Sequence, residues 1–320
     1  MNTNECPKIL KDFLFYLSGI KNYSFHTLKN YYFDLMIFFK FIKDYLDIKV
    51  QIKDFNIFIL ANVKESHIIA FLIYLNYHRD NTAQTRQRRL ASIRTFYKWL
   101  FINYPPFNNK ENPTKYIPNI EPVIRLPRYL NLEQAKTIQE VFNIGNSRYY
   151  LRNNTIISTF IHTGMRLSEL ININIEDIDF YSKTIKVNGK NNKERNIYIN
   201  KILMEKLENY LKYRNRKWNN ININEPLFLN KNGRRIGVDA VEDICKKAFE
   251  LLGLSEYNYT THTLRHTIAT VLYRHTKDIF LLKEFLGHSC IEATEIYTHV
   301  DNLKVKEAIE KNPLNNYKVA

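Results

Sequence analysis

Six prolines fall between Pro105 and Pro127 in the stretch PPFNNKENPTKYIPNIEPVIRLP. Such a stretch can neither continue a helix nor hold a central strand, because proline lacks the amide donor and its ring blocks the preceding turn. Residues 106–127 therefore read as a linker that divides the 320-residue chain into 1–105 and 128–320, and the 45% hydrophobic content suffices for a core in each part.

Apolar spacing before the linker is helical, with helices expected over 7–18, 24–46, 64–78 and 82–103 and Ser24 as an N-cap. In the last of these, Leu90, Ile93, Tyr97, Leu100 and Phe101 recur at the interval of one buried stripe. Arg86, Arg88, Arg89, Arg94 and Lys98 crowd the same helix, and Arg88 must point away from that stripe. A small all-helical bundle with a basic face is the expectation.

After the linker, Asn131 with Gln134 three residues on is a capping-box start for a helix to about Phe142, and another helix spans about 149–162. Gly164 supplies the turn that launches a short helix from Arg166. The stretches FYSKTIKVNGK and ERNIYIN alternate apolar and polar residues and predict a β-hairpin with Lys190 at its tip. Residues 239–252 carry Val241, Ile244, Cys245, Ala248, Phe249 and Leu252 on one helical side, so Cys245 reads as a core thiol. The remaining C-terminal chain is helical in pattern, with a last helix over 302–311.

A net charge of +15 favours a polyanionic partner and fast, salt-sensitive encounter with it, and nucleic acid is the natural candidate. Cys6, Cys245 and Cys290 form no CxxC pair, so neither a disulfide framework nor a cysteine-based zinc site is suggested. The N-terminus MNTNECPKILKDF lacks a basic stretch leading into an apolar core, and apolar runs elsewhere are broken well short of a membrane span. A soluble cytoplasmic protein that does not engage the membrane is expected.

Four stretches carry an ordered set of basic groups ending in a tyrosine: HTGMRLSEL (162–170), VNGKNNKER (187–195), HTLRH (262–266) and LGHSCIEATEIYTHV (286–300). At Arg166, Lys190, His262, Arg265, His288 and Tyr297 the chain resembles the tyrosine recombinases, the phage-integrase and Xer family, in which the same groups occur in this order. The resemblance covers nearly the whole chain. It implies a mainly helical protein with a small sheet, folded as a two-domain C-shaped clamp: a helical, SAM-like core-binding domain over 1–105, in which Arg86, Arg88, Arg89, Arg94 and Lys98 are the expected DNA-binding residues, and a catalytic domain over 128–320. The absence of an obvious extra arm-binding domain favours a simple, Xer-type recombinase.

Phosphodiester exchange suits these residues. Attack at phosphorus places charge on nonbridging oxygens, and Arg166 and Arg265 offer guanidinium forks that grip two oxygens each without deprotonating. No carboxylate cluster for a metal occurs among the motif residues, so the expected chemistry uses no metal and no cofactor; Glu169 is expected to support Arg166. A phenol with a pKa near 10 is ionised in only about one molecule in a thousand at neutral pH, so cationic neighbours must favour the phenolate of Tyr297 as it attacks. Lys190 is the candidate general acid for the departing 5′-hydroxyl, with Lys193 its competitor in the same turn; Asn191 stands where the family often has glycine. By resemblance, His262 serves as base or phosphate ligand and His288 bonds the phosphate. The 3′-phosphotyrosyl link would conserve the phosphodiester's energy, and no GxxxxGK[ST] loop is present.

The resemblance further implies double-stranded DNA with a specific site as partner. It implies a homo- or hetero-tetramer held by exchange of the helix beyond Tyr297, and passage through a Holliday junction. Three other readings compete. A zinc site at His262 and His266 lacks the glutamate of HExxH and has an arginine inside the pair. A type IB topoisomerase shares the chemistry, and an inactive DNA-binding relative would share the fold.

Overall fold

The computed structural model describes residues 5–107, 110–121, 127–143, 149–189, 194–218 and 225–287, together with Thr294 and Tyr297. Lys190, His288 and the helix expected over 302–311 lie outside the described residues. The chain divides into two compact units, Met1–Ile124 and Arg125–Ala320.

The first unit is helical: α1 (Lys8–Gly19), α2 (Phe25–Tyr45), the short α3 (Ile57–Ala61), α4 (Glu65–Tyr77) and α5 (Ala83–Asn103). Ser24 caps α2 by accepting from the Thr27 amide, and Asn56 and Thr82 do the same for α3 and α5. The α5 stripe is buried at Leu90, Ile93, Tyr97 and Leu100, where it meets Phe13, Phe38 and Phe39. Phe13 and Phe96 meet edge to face at 5.1 Å, the geometry aromatic quadrupoles favour.

The proline-rich stretch departs from a free linker over much of its length. Phe107 and Ile117 are buried in the first unit's core, Arg94 donates to the Ile117 carbonyl, and the Gln87 side chain accepts from the Ile120 amide at 2.7 Å. Prolines limit regular structure there to a 3₁₀ turn over Pro105–Phe107, yet the apolar residues between them still gain by leaving water.

The second unit begins with α6 (Leu132–Thr137), where Asn131 and Gln134 cap each other reciprocally, and tightens into a 3₁₀ turn over Ile138–Asn143. Central to this unit is α7 (Tyr150–Thr163), buried on nearly every side and packed against its neighbours α9 (Lys201–Trp218) and α11 (Thr261–Thr276). A sharp turn leads into α8 (Leu167–Asn172) and then an antiparallel sheet in the order β1 (Ile178–Asp179), β2 (Thr184–Asn188), β3 (Glu194–Tyr198). Ile185 faces Ile197 and Val187 faces Arg195 across the β2–β3 pair, which turns that side of the sheet toward the core. The expected hairpin is present with a third, two-residue strand added.

Helix α9, which sequence patterning left unassigned, buries Leu203, Leu207 and Tyr210 at intervals of four and three. Helices α10 (Val238–Leu251) and α12 (Ile279–Leu286) are the other α-helices among the described residues of this unit, and Cys245 on α10 is a buried core thiol whose pKa burial pushes up. Among the described residues no helix is long and apolar enough to cross a membrane.

Candidate active site

Gly164 ends α7 in the left-handed conformation at φ +58°, and this turn sets Arg166 at the N-cap of α8. Arg166 and Glu169 cap one another: the Arg166 amide donates to Glu169 Oε2 at 2.7 Å, and its Nη1 donates to Oε1 at 2.9 Å. The carboxylate is 1% exposed and takes two further bonds from Arg195 on β3, Nη1 to Oε1 at 2.7 Å and Nη2 to Oε2 at 3.0 Å. Burial alone pushes Glu169's pKa up. The bonds from Arg195 and the Arg166 amide, with both guanidinium charges, outweigh it and hold the group below the usual carboxylate range.

Arg265 lies within α11, almost wholly buried, and its fork joins two chain segments distant in sequence. Nη1 donates to the Gly164 carbonyl, and Nη2 donates to the Leu286 carbonyl at 2.7 Å. Burial and the neighbouring Arg166 charge lower its pKa to about 10, which still leaves it a cation at neutral pH. Arg166 in turn donates from Nη2 to the Gly287 carbonyl at 3.4 Å. The two arginines thus brace the residues that open α8 and close α12, and both approach the stretch that continues to His288. His262, one turn before Arg265 on α11, is exposed.

Tyr297 is 2% exposed and packs with Ala269, Leu282 and Leu286, with Leu272, Tyr273 and Phe285 at the margin. Its hydroxyl lies 2.7 Å from Nδ1 of His266. Burial raises the phenol to about 12, though the Arg265 charge pulls it back. Burial together with the His262 and Arg265 charges drops His266 to about 4, so the ring is neutral. With the histidine lowered and the phenol raised, the bond joins an uncharged imidazole to an uncharged phenol at neutral pH.

Sequence reasoning singled out neither Arg195 nor His266 for this site. A signal for Arg195 existed: it sits two residues from buried Ile197 on β3 and opposite buried Val187, so a charged residue occupies an inward position of an alternating strand. Nothing local marks His266 as the partner of Tyr297, which is 31 residues away.

The basic residues of α5 separate into two groups. Asp34 on α2 is buried and is bonded by Ser92 at 2.9 Å and by Arg88, with Arg89 Nε 3.6 Å away. Arg94 donates to the Ile117 carbonyl and to Asn119. Arg88 remains half exposed and Lys98 exposed, whereas Arg86, Arg89 and Arg94 are partly buried.

A helical unit is thus followed by a helix-rich unit in which two arginines and a tyrosine from distant segments come together. Residues 128–304 match the family model "Phage integrase family", and residues 10–102 match "Phage integrase, N-terminal SAM-like domain". The tyrosine recombinase XerC of Caldanaerobacter subterraneus subsp. tengcongensis is 36% identical over 98% of this chain and 89% of its own length. That of Natranaerobius thermophilus is 31% identical over 94% and 97%. The fold is shared with the XerH site-specific recombinase bound to palindromic difH substrate, at a TM-score of 0.74 and 22% identity over 94% of this chain and 83% of that one. A lambda integrase dimer bound to a COC′ core site gives 0.63 and 14% over 90% and 75%. The chain belongs to the phage integrase family and is a site-specific tyrosine recombinase of Xer type.

Proposed function

We propose that the protein cleaves and rejoins double-stranded DNA at a specific site, with Tyr297 as nucleophile and Arg166 and Arg265 holding the nonbridging oxygens of the scissile phosphate. The observation that carries this reading is the convergence of the two guanidinium groups on the Gly164 and Leu286–Gly287 carbonyls, with the Tyr297 hydroxyl inside the field of Arg265. Charge on the phosphorane would be met by cations already fixed in place, which is where most of the rate of a phosphoryl transfer arises. His262 would assist from the exposed first turn of α11, and Lys190 and His288 would take the leaving-group and phosphate roles. In cleavage the phenol gives its proton to a base, the role His262 would take, and its oxygen bonds to phosphorus as the bond to the 5′-oxygen breaks and that oxygen takes a proton from Lys190. A second 5′-hydroxyl reverses the sequence and joins a new strand.

The XerH structure was obtained on a difH substrate and the lambda integrase dimer on a core site. By analogy this chain would act in the cytoplasm, on the nucleoid, as a tetramer on two duplex sites joined through the helix after Tyr297. Residues 1–105 would grip one side of the duplex, with Lys98 and the half-exposed Arg88 reaching phosphates while Arg89 and Arg94 serve the fold. Sequence relatives named as recombinases favour this reading over a type IB topoisomerase.

Recovery and sequencing of DNA attached to the protein after detergent quench tests the proposal. The wild type should yield one recurrent site ending in a 3′-phosphotyrosyl link at residue 297, and Tyr297→Phe should yield none. Attachment that persists in Tyr297→Phe would overturn the assignment. The recovered sequence also separates a chromosomal resolution site from the ends of a mobile element.

A further inference from the structure

The geometry assigns to Arg195 a positioning role in strand cleavage: it holds Glu169 so that Arg166 presents its guanidinium to the scissile phosphate. This inference rests on the phosphate-binding role proposed above for Arg166.

Glu169 has two oxygens, and each takes one bond from Arg195 and one from Arg166. Four donors saturate the lone pairs of a carboxylate, so the group has a single orientation while both arginines are present. Removing Arg195 strips half of those bonds from a carboxylate that is 1% exposed and cannot turn to water instead. Arg166 would then lose the fixed anchor that aims it. Of the two arginines on Glu169, Arg166 is the more open, with 34% of its side chain exposed against 19% for Arg195, whose paired bonds to the carboxylate suit it to orienting Glu169.

Charge balance points the same way. One carboxylate shared between two guanidinium groups leaves the trio with a net positive charge facing the site. A pair of Arg166 and Glu169 alone would be neutral, and a phosphate would meet a weaker field.

Gly287 adds an independent constraint. Its backbone is left-handed at φ +62°, and a Cβ built there would lie 2.7 Å from Cζ and Nε of Arg195. The Arg195 guanidinium therefore rests directly on the main chain of residue 287, whose carbonyl Arg166 also approaches. One side chain thus ties β3, the start of α8 and the end of α12 together, three segments that carry Arg166 or lead to Lys190 and His288.

The test compares single-turnover cleavage by wild type, Arg166→Ala, Arg195→Gln and Arg195→Lys on a nicked duplex bearing the recovered site. The scissile group is either an ordinary phosphate or a methylphosphonate, which lacks one nonbridging charge. On phosphate, Arg195→Gln should cleave about 10- to 100-fold more slowly than wild type, Arg195→Lys should fall between, and both should bind the DNA as tightly as wild type. On methylphosphonate the deficits of Arg166→Ala and Arg195→Gln should both shrink to a few-fold, because less charge needs compensation. A defect that only loosened the fold would be equal on the two substrates. An equal deficit, or none, for the Arg195 variants while Arg166→Ala shows the gain overturns the role of Arg195. Absence of the gain in Arg166→Ala overturns the phosphate-binding role beneath it. Should Arg195→Gln fail to fold, Arg195→Lys, which keeps the charge and loses the fork, decides the matter alone.

Discussion

The Tyr297 hydroxyl is hydrogen-bonded to Nδ1 of His266 over 2.7 Å, and this bond fixes the phenol within a small apolar cluster made by α11 and α12. The nucleophilic role proposed for Tyr297 needs its hydroxyl, on a residue 2% exposed, to leave His266 and reach a duplex. Burial stabilises the protonated phenol, and Arg265 favours the phenolate. The resting position and the reactive one therefore place different demands on the same oxygen.

His266→Leu should destabilise the second unit by about 1–3 kcal/mol, since it removes the hydrogen-bond partner of a buried hydroxyl. His266→Asn, whose side-chain oxygen can stand close to the position of Nδ1, should cost less. Urea midpoints of the two variants at pH 7 provide the comparison. If leucine were tolerated as well as asparagine, the bond would contribute nothing to the resting state.

The same histidine gives stability a pH dependence of definite sign. Its folded pKa, about 4, lies below the unfolded 6.5, so between those values the unfolded chain binds more protons and stability rises with pH. Its contribution is complete above about pH 6.5 and is lost as pH falls toward 4. Wild type should lose more stability between pH 7 and pH 5 than His266→Asn does, measured as the change in urea midpoint. Parallel profiles would show that His266 is not held neutral by its surroundings.

Asp34 presents a contrast between two ways of breaking one ion cluster. Asp34→Ala strands Arg89, whose side chain is 13% exposed, and should cost about 3–5 kcal/mol, the range for leaving a buried charge unpaired. Arg88→Ala removes a half-exposed partner and leaves Asp34 with Ser92 and Arg89, so it should cost about 1 kcal/mol or less. Thermal unfolding of the first unit's transition checks the ordering, and a reversed ordering would mean that Arg88 is the true counter-ion.

Much of this was legible in the sequence because the determinants are local. Helical periodicity located α1, α2, α4 and α5 to within a few residues, the Asn131–Gln134 box marked α6, and alternation marked the hairpin. Helix α3 is five residues long, too short for periodicity to register. In α9 the apolar positions are diluted by Lys, Glu and Asn, so the helix emerges only from its packing against α7. The motif order pointed to Arg166, Arg265 and Tyr297 as one constellation. What each touches is a tertiary fact: Arg265 bridges residues 164 and 286, and no local pattern announces a contact over 101 residues. Five basic residues on α5 looked alike in sequence, and only the burial of Asp34 and Ile117 separates those that serve the fold.

Gly164 occupies a turn where a side chain is doubly disfavoured. Its φ of +58° costs an L-residue about 1–2 kcal/mol, and a Cβ would stand 3.1 Å from Ile268 and from Phe285. Gly164→Ala should therefore destabilise the second unit by at least that amount. It should also slow cleavage, because its carbonyl anchors Arg265. A variant with unchanged thermal midpoint and wild-type cleavage would show that the turn adapts without moving Arg265.

Arg265→Lys separates the fork from the charge. A lysine cannot bond the Gly164 and Leu286 carbonyls in one plane while also facing a phosphate, so single-turnover cleavage should fall about 10²- to 10³-fold, the cost of removing one preorganised donor from a charge-stabilising site. The pH profile should change as well. Burial lowers even the arginine to about 10, and a lysine in the same surroundings starts from a lower intrinsic value and is pushed down further. Its charge would thin out as pH rises through the slightly alkaline range, and residual cleavage should decline there while the wild-type rate does not. A lysine variant that matched wild type across pH 6–9 would remove Arg265 from the machinery proposed here.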